Sequence, residues 1–366
     1  MRGRLSSGVS AVPDGRTVVH LRERHRSGVG RAALAALAAT LLALPTGATA
    51  AGETDEVSSN PYPETGAIPG SGVGKRIGYI SLWDELPFVR RVTDSVIEQA
   101  AVAGADLVVC DSKADIGEAL ACARQLVSQG VQGVLNFQAD ETGAPDVCAA
   151  YGDLPTIAID IRQPPCEVAF MGVDNDQAGW VQGMTMGEHL RDAYGCAYDS
   201  VVVLTANPTG EAARLRTGGA RDGFVSVCGP IADDRLREFD VGGTNFGDEA
   251  MTSFLRSTPP GGRHVVLAVN DDAALGALRA ARALERDHEL LIGAQGADPS
   301  AWQAIACDPQ WIVDVAYFPE RYGRTLIPAM IDIIDGRAVP RELHTDHVAV
   351  TPSNIRELYP ETPPCP

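Results

Sequence analysis

From Arg76 onward the chain alternates between two hydrophobic patterns. Short apolar runs bounded by Gly, Pro, Asn or Asp predict strands at 76–81, 107–109, 131–135 and 155–159. Between them, longer stretches with apolar positions three and four apart predict a helix over 89–103, ended by Gly104, and another over 116–129, ended by Gly130. The alternation then restarts. A helix is predicted over 174–191, with Asp174 or Asn175 as its N-cap, followed by the continuous apolar run 201–204 of a strand buried on both faces. Helices at 211–227, 245–257 and 271–287 alternate with strands near 236–240, 264–269 and 289–293. A last strand, 311–317, precedes a helix over 319–335. Such β-α repetition predicts parallel sheets covered by helices. The restart halfway predicts two doubly wound lobes, in line with the two domains expected of 366 residues. No short repeat period is present, which excludes a solenoid.

The first fifty residues differ. They hold seven Arg against Asp14 and Glu23, then the thirteen-residue run from Ala32 to Leu44, then Pro45-Thr46-Gly47 and Ala48-Thr49-Ala50. A basic, an apolar and a small-residue segment in that order predict a cleaved secretory signal over 1–50. A membrane anchor is the alternative, but the run falls short of the roughly 20 apolar residues a span needs. No cysteine follows it until Cys110, so a lipid anchor is not expected. Residues 51–75, rich in Gly, Pro, Ser and acids, predict a flexible leader.

Charge narrows the partners. The whole chain carries −18, and the first fifty residues carry +5, so the remainder carries −23. That argues against nucleic acid, whose affinity comes from Lys and Arg on phosphates, and against an anionic membrane surface. Eight cysteines, at 110, 122, 148, 166, 196, 228, 307 and 365, form no CxxC and have no His beside them as zinc ligands would. In an exported chain disulfides are the expectation. Pairing of neighbours (110 with 122, 148 with 166, 196 with 228) is one hypothesis, and buried free thiols are the alternative.

In doubly wound sheets, ligands sit beyond the carboxyl ends of the strands. Those loops here are 81–88, 136–140, 160–162, 270–272, 295–298 and 317–319, rich in Asn, Asp, Gln, Arg and aromatic residues. A sugar-like ligand needs that mixture: planar groups to hydrogen-bond vicinal hydroxyls, and aromatic faces against its C–H surface. No GxSxG, GxxxxGK or HExxH is present, and the seven histidines are scattered, so no catalytic residue, metal or cofactor is expected.

Several segments carry a family resemblance: Ile77-Gly78-Tyr79-Ile80 with Pro87-Phe88, Leu107 to Ser112, Gly172-Val173-Asp174-Asn175 before a helix, Ala213 to Arg216 before Gly219, and above all Asn270 to Leu278. Their order over roughly 75–359 resembles periplasmic sugar-binding proteins of the ribose-binding type, the solute receptors of ABC importers. The resemblance implies a periplasmic binding protein type I fold: two Rossmann-like α/β lobes joined by three crossovers, 76–173 plus 318–344 and 174–317 plus 345–360. It implies a monomer that traps a sugar or polyol between its lobes and delivers it to an ABC permease, outside the cytoplasmic membrane. It also implies site roles. Phe88 stacks on the ring, Asp160 accepts from hydroxyls, Asn175 reaches the ligand from a crossover, Arg216 donates two hydrogen bonds, and Asn270 donates and accepts. The departures are Leu86 for an Asn, Ile161 for an Arg with Arg162 one step on, Gln295 for an Asp and Tyr317 for a Gln. With Trp83, these place Gln295 and Tyr317 in the expected ligand set and put ribose itself in doubt.

Each residue also has a plainer reading. Trp83 and Phe88 could be core, Asp160 a turn brace, Arg216 a surface partner of Glu211 or Asp222, and Asn270 only a helix cap. At the level of the whole protein, a sensory receptor on the same scaffold and an extracellular carbohydrate-active enzyme are the alternatives. A related fold serves DNA-binding repressors, but the chain lacks their basic helix-turn-helix segment.

Overall fold

The computed structural model describes residues 61–62, 65–241 and 244–366, so the predicted signal and residues 51–60 of the predicted leader lie outside the described residues. The first sheet and its helices come from β1 (Arg76–Ser81), α1 (Pro87–Ala103), β2 (Asp106–Asp111), α2 (Ile116–Ser128), β3 (Gly133–Asn136), α3 (Ala144–Tyr151), β4 (Thr156–Ile159) and β5 (Glu167–Gly172). Next come α4 (Asn175–Tyr194), β6 (Ser200–Thr205), α5 (Glu211–Cys228), β7 (Leu236–Asp240), α6 (Thr244–Ser257), β8 (His264–Ala268), α7 (Asp271–Ala283), β9 (Leu290–Gly293), α8 (Trp302–Cys307) and β10 (Trp311–Ala316). The chain closes with α9 (Tyr322–Ile334), β11 (Glu342–His344), β12 (Val348–Val350) and α10 (Ile355–Leu358).

Two six-stranded sheets result, ordered β11-β5-β4-β3-β1-β2 and β12-β10-β9-β8-β6-β7. All pairings are parallel except that of β12 with β10. Each sheet starts a new order at its first strand, so each has a switch point where loops diverge and leave a crevice. The chain passes between sheets three times: from β5 into α4, from β10 into α9, and from β11 into β12.

Local sequence explains the element ends. Pro87 stands in the first turn of α1, where its missing N–H costs nothing, and Gly104 ends the helix at φ 70°. Asp115, Asp174 and Asn270 cap α2, α4 and α7 by accepting from Glu118, Gln177 and Ala273 N–H groups. Both faces of each sheet are covered. In the first, α1 and α9 bury one face with Val92, Val96, Leu326 and Met330, and α2 and α3 bury the other with Leu126, Val147 and Tyr151. Helices α4 and α5 approach closely because Gly179 and Gly183 face Gly219 and Gly223; a Cβ on Gly183 would lie 1.9 Å from the Ala220 carbonyl oxygen.

The predicted elements recur within a few residues, and α3, β5, α8, β11, β12 and α10 were not predicted from sequence patterning. The two three-residue strands are too short to show a period, and β5 follows the irregular turn of Arg162 to Cys166. Residues 65–75, read as flexible leader, are held on α1: Ala67 N–H donates to Gln99 Oε1 at 2.8 Å and Gly72 N–H to the Ala103 carbonyl at 2.8 Å. Disulfides join Cys110–Cys122, Cys148–Cys166 and Cys196–Cys228, and a fourth, Cys307–Cys365, ties the tail to α8.

Candidate functional site

A cavity of about 170 Å³ lies between the two sheets at the carboxyl ends of their strands. A single water needs about 10–15 Å³ on this measure, so it holds roughly a dozen water-sized groups, the scale of a monosaccharide or cyclitol. The β1–α1 loop contributes Leu82, Leu86 and Phe88, and the ends of β3 and β4 contribute Phe137, Asp160 and Ile161. From the other sheet come Thr209 and Arg216 near and on α5, Asn270, Asp271 and Asp272 at the start of α7, and Gln295 and Asp298 after β9. Tyr317 closes the cavity from the second crossover.

Six of the eight predicted ligand residues therefore line one cavity: Phe88, Asp160, Arg216, Asn270, Gln295 and Tyr317. Trp83 does not. Leu86 N–H bonds back to the Trp83 carbonyl at 3.0 Å, and this turn sets Leu82 and Leu86, on either side of Trp83, against the cavity instead. Asn175 does not line it either. It borders an adjoining pocket of about 230 Å³ and holds Arg216, whose Nε donates to Asn175 Oδ1 at 2.6 Å. The capping role fell to Asp174, which leaves the Asn175 side chain free for that bond.

Asp160 is the most constrained of the set. It follows β4 with φ 56°, a left-handed conformation that Asp tolerates better than most residues. Its Oδ1 accepts from Tyr322 Oη–H at 2.9 Å. Burial raises its carboxyl to about 6, with the Arg216 guanidinium and the Tyr322 bond pulling the other way. Arg216 also lies 4.9 Å over the Tyr317 ring. Tyr317 Oη–H donates to Gln295 Oε1 at 2.6 Å, and Gln295 Nε2 donates to Gln182 Oε1 at 2.7 Å. Gln182 in turn donates to the Ala268 carbonyl, so a buried relay fixes the amide of Gln295 at the cavity wall. Asn270 Oδ1 caps α7 by accepting from Ala273 N–H at 2.9 Å, and the residue also faces the cavity.

Sequence reading named neither the acids Asp271, Asp272 and Asp298 nor the apolar wall of Leu82, Leu86, Phe137 and Ile161 as ligand residues. Leu82, Ile161 and Asp271 adjoin a named residue, Leu86 was itself flagged as a departure, and all seven fall in strand-end loops. Behind Asp271 lies Asp314 of β10, fully buried, with Oδ1 accepting from Ala297 and Val315 N–H groups at 2.9 and 2.8 Å. Burial raises Asp314 to about 7 and lifts Asp271 well above the ordinary carboxylate range, and the two carboxyls bond each other, so the pair shares a proton.

The lobes are bonded to each other across the cleft. Phe88 N–H donates to Asp298 Oδ2 at 2.8 Å, Glu211 N–H donates to Glu141 Oε2 at 3.0 Å, and Arg162 lies 3.6 Å from Glu211. This is a closed conformation, in which the two bodies meet at the crossovers and through these cleft contacts. Such a fold and site define a solute-trapping protein of two hinged lobes.

The comparisons agree. The family model described as periplasmic binding protein domain matches residues 77–338, and the chain belongs to that family. A putative rhizopine-binding protein of Rhizobium meliloti is 26% identical over 70% of this chain and 82% of its own length. The ribose import binding protein of Escherichia coli is 24% identical over 71% of this chain and 85% of its own length. Among solved structures, an ABC transporter solute-binding protein from Bacillus halodurans with bound myo-inositol aligns with TM-score 0.66 and 22% identity, covering 79% of this chain and 98% of that one. The Caulobacter myo-inositol-binding protein aligns with TM-score 0.64 and 22% identity, covering 80% and 98%. These structural likenesses establish the periplasmic binding protein type I fold.

Proposed function

We propose that this protein captures a sugar or polyol between its lobes and delivers it to an ABC permease. The observation that carries this reading is the cavity between the two bonded lobes. Asp160, Arg216, Asn270 and Gln295 present donors and acceptors around it, while Phe88, Tyr317 and the leucines offer apolar surface to C–H groups. Its work is conformational. A ligand touching both walls favours the closed arrangement by its differential affinity for that state, and the permease reads the paired lobe surfaces. Binding, not turnover, is the activity assigned.

The relatives named for ribose import and rhizopine binding, and the neighbours holding myo-inositol, support a hydroxyl-rich small molecule. In the same reading residues 1–50 are a signal removed on export, the lobes are 76–173 plus 318–344 and 174–317 plus 345–360, and the mature protein acts as a monomer outside the cytoplasmic membrane. N-terminal sequencing of the exported protein tests the cleavage.

Thermal unfolding of the mature protein against pentoses, hexoses, cyclitols, linear polyols and their amino derivatives tests the ligand class. A ligand at 100 times its dissociation constant stabilises the folded state by about 2.7 kcal/mol. One selective stabiliser supports the proposal, and an unmoved midpoint across the panel overturns it.

A further inference from the structure

Three buried side chains on and behind the cavity wall are hydrogen-bonded in a row whose direction is set at one end. Gln182 on α4 is fully buried and does not line the cavity. Its Nε2 donates to the Ala268 carbonyl, at the end of β8, at 3.0 Å. A carbonyl can only accept, so the Gln182 amide must turn its NH2 that way and its Oε1 the other. Gln295 Nε2 donates to that Oε1 at 2.7 Å and, over a longer 3.4 Å, to the Arg216 carbonyl. Gln295 Oε1 then accepts from Tyr317 Oη–H at 2.6 Å.

The reverse orientation of Gln295 is closed off. Flipped, its Oε1 would face Gln182 Oε1 and the Arg216 carbonyl, three acceptors in a buried place with no hydrogen among them. Packing holds Gln182 as well. Gly293, the last residue of β9, makes room for it: a Cβ there would lie 3.2 Å from Gln182 Cγ. Both amide hydrogens of Gln295 and the one hydroxyl hydrogen of Tyr317 are therefore spent inside the protein. Lone pairs are all that these two residues have left for the cavity they line.

We propose that Gln182 is a positioning residue for the ligand cavity: from outside it, Gln182 directs both hydrogens of the Gln295 amide inward, so that the wall formed by Gln295 and Tyr317 accepts hydrogen bonds and donates none. An unrestrained glutamine offers a donor and an acceptor equally. Here the choice is made by the backbone of β8, relayed through Gln182, and it stands before any solute arrives. Its use rests on the solute capture proposed above: whatever group a captured solute sets against Gln295 must bring the hydrogen itself.

Hydrogen exchange of side-chain amides, followed by nuclear magnetic resonance on the solute-free mature protein, tests this. The Gln295 NH2 signals are identified by their absence in Gln295→Glu. In wild type they should exchange slowly, because both hydrogens point inward. Gln182→Met removes the acceptor at similar volume and should speed that exchange about tenfold or more while the backbone amides of β8, β9 and β10 keep their protection. Gln182→Glu should restore it, since a buried glutamic acid keeps its proton, donates to the Ala268 carbonyl and accepts from Gln295. Tyr317→Phe should leave the protection in place, because the direction is set from the Gln182 side. Rapid Gln295 exchange in wild type overturns the inference whether or not Gln182→Met folds, as does an equally large loss of protection in Tyr317→Phe. Unchanged exchange in Gln182→Met, or a rise shared by the backbone amides, overturns it too. With no solute in the sample, each of these results leaves capture itself to the thermal panel.

Discussion

The approach of α4 to α5 sets the most demanding test of the site geometry. Asn175 opens α4 and Arg216 lies on α5, and Gly179 sits one turn further along α4. A Cβ at Gly179 would lie 2.2 Å from the Arg216 carbonyl oxygen and 2.9 Å from Ala220 N. Both are backbone atoms and cannot rotate aside. Relaxing 2.2 Å to the 3.4 Å of ordinary contact parts the helices by about 1.2 Å at this point. The Arg216–Asn175 bond, 2.6 Å long, would then stretch past the reach of a hydrogen bond. Overpacking of this kind costs about 1–3 kcal/mol, and losing a charged hydrogen bond costs about 1.5–3 kcal/mol before water replaces part of it. Together they give roughly 3 kcal/mol for Gly179→Ala, a fall in melting temperature of several degrees. Displacing Arg216 should also weaken ligand binding about ten- to a hundredfold, since 1.4 kcal/mol is tenfold. The control is Gly218→Ala on α5, where a Cβ meets nothing within 4 Å and greater helix propensity should leave stability unchanged or raised. Thermal unfolding and calorimetry read both variants. A Gly179→Ala protein with wild-type melting and affinity would refute the claim that this close contact places Arg216.

Asp160→Asn should alter the pH profile of stability. The folded carboxyl, raised to about 6 from 3.8, keeps its proton through a window in which the unfolded chain has released it. Wild-type stability therefore falls, relative to the variant, as pH rises from about 4 to about 6. The difference amounts to at most about 3 kcal/mol at 1.36 kcal/mol per unit, and parallel melting curves across that window would count against the assignment. Glu141→Ala removes the acceptor for the α5 N-terminus across the cleft and should cost the closed state about 1 kcal/mol. Small-angle scattering should then show a larger radius of gyration than wild type, and an unchanged radius would show that this contact does not hold the lobes. Replacing Cys307 and Cys365 together by Ser opens a 58-residue link and should lower stability by up to about 4 kcal/mol, read by urea unfolding. A midpoint equal to wild type would mean that the tail needs no staple.

Legibility in the sequence followed the length of the pattern. The strand of continuous apolar residues at β6 and the long helices α1, α5 and α7 were readable because buried positions recur along their whole length. Strands β11 and β12, three residues each, owe their pairing to neighbours distant in the chain, and no local period announces them. At the site, position was easier than orientation. The strand-end rule brought out the loops that line the cavity, including six residues of the expected ligand set. It could not decide that Trp83 would be turned out in favour of Leu82 and Leu86, because one backbone bond in the loop makes that choice. Nor could it show that Asn175 would serve Arg216, since the 2.6 Å contact depends on glycines elsewhere on both helices. The relay through Gln182, midway along α4, carries no sequence signal at all.

The interleaving of the two sheets has a consequence for how the protein is born. The first sheet is completed by β11, and the apolar face of α1 is covered by α9, yet both follow the whole of the second sheet's parallel set in the chain. At roughly 5–20 residues per second, a ribosome needs about 10–30 s to make residues 173 to 344. Through that interval Val89, Val92 and Val96 have no α9 to lie against. The first half of the nascent chain is thus held short of its native packing by chain order alone. In the proposed export of this protein, the late arrival of α9 is a built-in delay before folding.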